Sequence, residues 1–154
     1  RGTIKYAPWV KAGFVTMTDG DVTDYKVIER DILEDVAIFT PKKIAYDPWN
    51  SSQLVNQLTE ASLPMEQFRQ GPQRYHPAMK LFDEVYTSGR LRHGGNPVLQ
   101  WNAANLVARR DANMNMAPDR KRSADKIDGI VSLLMAFGVA AIPGEKKEHQ
   151  LFFV

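Results

Sequence analysis

Between residues 43 and 68 a strand, a helix and a second strand follow one another closely, and this run restricts the fold more than any other feature. Lys43-Ile44-Ala45-Tyr46 reads as a short strand that runs into Asp47. Pro48 stops it, because proline has no N–H to give to a sheet ladder. Asn50 or Ser51 is placed to cap a helix over about 51–62, with Leu54, Val55 and Leu58 on its inner face. Pro64-Met65-Glu66-Gln67-Phe68 forms the second strand. Two strands joined by a helix pair in parallel through a crossover, so the fold class is α/β. Open α/β sheets bind ligands beyond the C-terminal ends of their strands, and Asp47 occupies such an end. An Asp at this position equally suits a side chain that caps the following turn, and the local sequence leaves both roles open.

The remaining elements are built around that unit. Residues 1–23 read as extended chain, with Phe14-Val15-Thr16-Met17 as a short strand. Asp24 is an N-cap for a helix over 25–39, where Val27, Ile28, Ile32, Leu33 and Val36 recur at helical spacing. A third helix covers 75–88, Leu91-Arg92 forms an edge strand, and 98–105 is helical. Leu106–Arg109 and Met114–Ala117 pair as a hairpin around Asp111-Ala112-Asn113. Ser123 caps a last helix over 124–140, apolar on a wide face. Residues 1–142 make one domain, and 143–154 a tail that is polar until it turns apolar at Leu151-Phe152-Phe153-Val154.

Composition removes several kinds of chemistry. With no cysteine there is no disulfide framework, no thiolate nucleophile and no cysteine-bound zinc. No apolar run is long enough to span a bilayer. His76, His93 and His149 lack metal-ligand spacing, and neither a phosphate loop nor a serine-hydrolase elbow is present.

Charge is unevenly placed. Residues 1–68 hold seven Lys/Arg against ten Asp/Glu, whereas 69–126 hold eleven against five. The second stretch includes Arg90, Arg92, Arg109, Arg120, Lys121 and Arg122. Clustered positive charge suits a polyanion, because each neutralised phosphate releases counterions; it equally suits a solvated surface. Asp128 falls one turn into the last helix beside Ile127, Ile130 and Val131, an expensive place for a carboxylate without a partner. Asp125, three residues earlier, shares its helix face, or serves only as a favourable charge at the helix start. Hard oxygen donors suit Mg2+ or Mn2+, and with a basic surface they point to phosphodiester hydrolysis by carboxylate-held metal ions.

Three segments carry a resemblance. Ile44-Ala45-Tyr46-Asp47-Pro48-Trp49-Asn50, then Gly89-Arg90-Leu91-Arg92-His93-Gly94-Gly95-Asn96-Pro97-Val98-Leu99, then Lys126-Ile127-Asp128-Gly129-Ile130-Val131 resemble, in order and spacing, the C-terminal nuclease domain of the large terminase subunits of tailed phages and prophages. The resemblance implies a ribonuclease-H-like fold and a two-metal endonuclease that cuts concatemeric double-stranded viral DNA, with Mg2+ or Mn2+ held by three acidic residues. It assigns the second acidic position to Asp47 and the third to Asp128, with Asp125 as an extra ligand. It implies DNA, a portal protein, a small terminase subunit and further copies of the chain as partners, no membrane, and the host bacterial cytoplasm as the place of action. The family's first acidic residue and first sheet strands lie upstream of the matched segment. The chain therefore reads as an N-terminally truncated piece, with an exposed strand edge that favours self-association. The alternative is a non-catalytic module that binds DNA or docks on the portal or motor, since the first ligand has no counterpart here.

Overall fold

The computed structural model describes residues 6–20, 22–49 and 52–141. The expected cap at Asn50 or Ser51 and the tail over 143–154 lie outside these residues. In chain order the elements are α1 (Ala7–Lys11), α2 (Tyr25–Phe39), β1 (Ile44–Tyr46), α3 (Ser52–Glu60), β2 (Met65–Gln67), α4 (Pro72–Thr87), α5 (Pro97–Asn105), β3 (Ala108–Arg110), β4 (Met116–Pro118) and α6 (Asp128–Ala140).

The β1–α3–β2 unit forms as its sequence dictates. β1 and β2 are parallel, pairing Ile44 with Met65, Ala45 with Glu66 and Tyr46 with Gln67. Asp24 caps α2 by accepting the N–H of Lys26 at 2.9 Å. That helix closes on Thr40, which turns left-handed at φ 43° just before Pro41. α4 starts three residues earlier than the apolar spacing suggests. Pro72 opens it at a position where its missing N–H would find no intrahelical partner anyway.

Three expectations need correction. Phe14–Met17 forms no strand; the helical turn α1 precedes it instead. Leu91-Arg92 is irregular chain, because Gly94 and Gly95 both adopt positive φ and turn it toward the Asn96 cap of α5. The last helix begins at Asp128 and not at 124. The Ser123 hydroxyl, expected to cap it, accepts the N–H of Val107 at 3.2 Å and donates to the Asp119 carbonyl at 2.7 Å. Residues 119–127 thus form a loop stitched to the β3–β4 hairpin, and Asp125 and Asp128 do not share a helix face.

The hairpin pairs Ala108 with Pro118, Arg109 with Ala117 and Arg110 with Met116. Asp111 organises its turn by accepting the N–H groups of Asn113 and Asn115 and the Asn115 side-chain amide. These bonds, led by the Asn115 amide, hold its carboxyl below the ordinary range.

α6 lies at the centre of the core. Its Ile130, Val131, Leu134, Met135 and Val139 are buried together with Ile127, Phe68, Tyr75 and Ala117. Phe68, which follows β2, is wholly buried. The Tyr75 ring meets its ring at 5.1 Å, and the Arg74 guanidinium lies 5.7 Å from its centroid. Gly138 makes room for that ring on α6. A Cβ there would overlap Phe68 Cε2 and stand 3.0 Å from Cζ. The glycine therefore lets α6 seat closely on the residue that follows β2.

Candidate active site

Asp47 follows β1 directly, held where the parallel pair ends. Its Oδ1 accepts the N–H of Trp49 at 3.1 Å, which is the turn-capping role. Its Oδ2 accepts from Gln70 Nε2 at 2.6 Å, a bond to the chain that leaves β2. Both roles left open by the sequence are thus compatible, since one oxygen closes the turn while the other faces the neighbouring strand end. Asp47 lines a cleft with Pro48, Trp49, Arg69 and Gln70.

Asp128 is the first residue of α6, exposed, and its Oδ1 accepts from Arg120 Nη1 at 2.8 Å. Both side chains are more than half exposed, so this ion pair contributes only about 0–1 kcal/mol. Asp128 lines a second cleft with Arg120, Lys121, Asp125 and Lys126. Asp125 is exposed there and accepts the N–H of Lys126.

A third cleft, of about 400 Å³, shares Gln70 with the first and Arg120 and Lys121 with the second. Its lining includes Gln70, which bonds Asp47, and Arg120, which bonds Asp128, together with Tyr75, Arg109, Asp119 and Lys121. The two carboxylates, 81 positions apart in the chain, thus line two clefts, each of which shares residues with the third. Hard oxygen donors of this kind fit Mg2+ or Mn2+. Among the described residues, however, no three His, Cys, Asp or Glu stand close enough together to hold one metal ion.

The other basic candidates are distributed along this side and beyond it. Arg109 is exposed on β3, and Lys121 and Arg122 are exposed in the loop before α6, where Asp119 Oδ1 takes their backbone N–H groups. Arg92 is exposed in the loop before α5. Arg90 is engaged with Glu84 at 2.7 Å and with the Ser88 hydroxyl.

Two groups of residues escaped the sequence reading. Gln70 and Tyr75 belong to no motif; only the convergence of the chain after β2, α4 and the 119–127 loop brings them to the third cleft. The second group is a clamp on the start of α6. Ile127 sits at the cap position and offers no side-chain acceptor. Instead the buried Asn102 of α5 accepts the N–H of Gly129 at 2.6 Å, while Asn105 Nδ2 donates to the Lys126 carbonyl at 3.1 Å. Two asparagines three apart on α5 therefore hold the chain on either side of Asp128. That spacing was the signal available in the sequence.

Over residues 1–144 the chain matches the family model described as terminase large subunit, endonuclease domain. It is 34% identical over 137 residues to the terminase large subunit of Enterobacteria phage HK97, covering 88% of this chain and 27% of that protein. It is 29% identical over 140 residues to protein YmfN of Escherichia coli K12, covering 90% of this chain and 31% of that one. The crystal structure of the HK97 bacteriophage large terminase matches with a TM-score of 0.81 at 32% identity, covering 88% of this chain and 29% of the other. The chain thus spans about three tenths of the length of these relatives.

Proposed function

The chain belongs to the terminase large subunit endonuclease-domain family, with the α/β, ribonuclease-H-like fold of that domain, and on that footing we propose that Asp47 and Asp128 are two of the carboxylates of its divalent-metal nuclease centre. The observation that carries this reading is that one cleft, lined also by Arg109 and Lys121, holds a side-chain partner of each carboxylate, Gln70 for Asp47 and Arg120 for Asp128. The substrate is double-stranded DNA, cut from concatemers during packaging in the host cytoplasm, with the portal protein, the small terminase subunit and further copies of the chain as partners.

Asp47 and Asp128 would hold Mg2+ or Mn2+, which when bound would supply water activation and leaving-oxygen stabilisation. The protein's own contribution is placement. Gln70 and the Trp49 N–H fix the Asp47 carboxylate, and Asn102 fixes the backbone beside Asp128. Arg120 pairs with Asp128 across an exposed contact that a bound cation would have to displace. Arg109, Lys121 and Arg122, with Arg92 farther off, follow the phosphate backbone and carry no sequence preference. Asp125, exposed and off the helix, serves at most as an outer ligand; Arg90, tied to Glu84, contributes least.

A second reading has a specific observation behind it. The described residues contain no three-ligand group, and Asp128 is already paired with Arg120. A non-catalytic module that binds DNA or docks on the motor has both features. Plasmid nicking in Mn2+ separates the two. The nuclease reading expects nicking that disappears in Asp47→Ala and Asp128→Ala while DNA binding survives. Nicking that persists in either variant contradicts it, and DNA binding without any nicking supports the second reading.

A further inference from the structure

We propose that the hydroxyl of Tyr75, a residue that lines the third cleft, is a hydrogen-bond donor to a backbone phosphate of the bound nucleic acid. Tyr75 is 3% exposed, and its buried hydroxyl has no hydrogen-bond partner among the described residues. Leaving such a group unsatisfied costs stability, because it gives up water and receives nothing in return. A phenylalanine would fill the same space at no such cost. The ring is fully used, packing edge-on against Phe68, so the hydroxyl alone lacks a structural purpose.

What surrounds it is suited to an anion. Tyr75 lines the cleft with Arg109, Arg120 and Lys121. Asp119 is the acidic residue of that lining, and its Oδ1 is occupied by the N–H groups of Lys121 and Arg122. Arg109 and Lys121 take part in none of the described ion pairs, and Arg120 is committed only to its exposed contact with Asp128. A phosphate entering the cleft meets two available cations and a third that can turn toward it. The phenol can donate a proton to a non-bridging oxygen, a bond that is stronger for an ionised acceptor. Burial first of all, with a smaller push from Asp47 against a pull from Arg120, raises the phenol to about 12, so it remains a donor throughout the neutral range. The basic residues alone specify a surface that tracks a backbone; the buried donor specifies one phosphate position along it.

The inference rests on the nuclease reading for the identity of the anion, but its test does not depend on cutting. Fluorescence anisotropy of a short labelled DNA duplex in EDTA measures affinity for the chain and for Tyr75→Phe, together with their thermal unfolding. The expected result is about tenfold weaker binding by Tyr75→Phe, the equivalent of about 1.4 kcal/mol, with a Tm equal to or above that of the parent. The salt dependence of binding keeps its slope in Tyr75→Phe, because no charge is lost, whereas Lys121→Ala lowers the slope by about one. Unchanged affinity in Tyr75→Phe overturns the proposal. So does a lower Tm with unchanged affinity, which assigns the hydroxyl to a buried water. Failure of the nuclease reading shows instead as nicking insensitive to Asp47 and Asp128, an independent result.

Discussion

Replacing Gly138 by alanine pits two well-measured effects against each other. Within a helix alanine is favoured over glycine by about 1 kcal/mol, so propensity alone expects stabilisation. Against this, the new methyl overlaps Phe68 Cε2 and lies 3.0 Å from Cζ. The ring has little room to retreat, since Phe68 is fully buried with Tyr75 packed at 5.1 Å. Overpacking of this kind costs about 1–3 kcal/mol. Packing therefore wins, and the net loss is about 1–2 kcal/mol at the upper part of that range. For a chain of this size that is a drop in Tm of roughly 3–6 °C. Thermal unfolding followed by circular dichroism reads it, with Ala136→Gly, at an exposed site on α6, reporting propensity alone. Combining Gly138→Ala with Phe68→Leu should recover part of the loss, because the two sites are in contact and do not add. A Tm that rises in Gly138→Ala, or two changes that simply add, would refute the packing argument.

Other perturbations follow from the same contacts. Asn102→Ala strips the Gly129 N–H of its buried acceptor and costs about 1–3 kcal/mol; amide exchange at Gly129 should accelerate, and an unchanged exchange rate speaks against the clamp. Asn105→Ala, whose bond to the Lys126 carbonyl is exposed, should cost clearly less. The phenol of Tyr75 is raised to about 12 from an ordinary 10, chiefly by burial, so it favours the folded state below about pH 10 and that contribution fades as pH climbs toward 12. Absorbance at 295 nm should show a tyrosine titrating last, near pH 12, and Tyr75→Phe should remove it; titration of that group near pH 10 contradicts the burial.

The β1–α3–β2 unit was legible because its signals are local. Short apolar runs stopped by Pro48 and separated by one helix admit few arrangements, and Asp47 at the strand end came with them. The start of α6 was not legible for the opposite reason. Ser123 followed by Asp125 looks like a helix cap, yet the Ser123 hydroxyl is taken by Val107, sixteen residues away. That contact exists only once the hairpin has formed. Tyr75 was similarly hidden: on α4 it resembles any core aromatic, and its unpaired hydroxyl becomes notable only when the 119–127 loop brings Arg120 beside it. Asp128 was found through the segment around it, while the asparagines that hold it lie on another helix.

Iron-directed cleavage tests most directly whether Asp47 and Asp128 serve one metal centre. Fe2+ replacing Mg2+ generates hydroxyl radicals with peroxide and ascorbate, and these cut the polypeptide near wherever the ion sits. The account predicts cuts around residue 47 and around residue 128, both sets lost in Asp47→Asn and both lost in Asp128→Asn. Cuts at one segment only, or a set at either segment that survives loss of the other carboxylate, would contradict it.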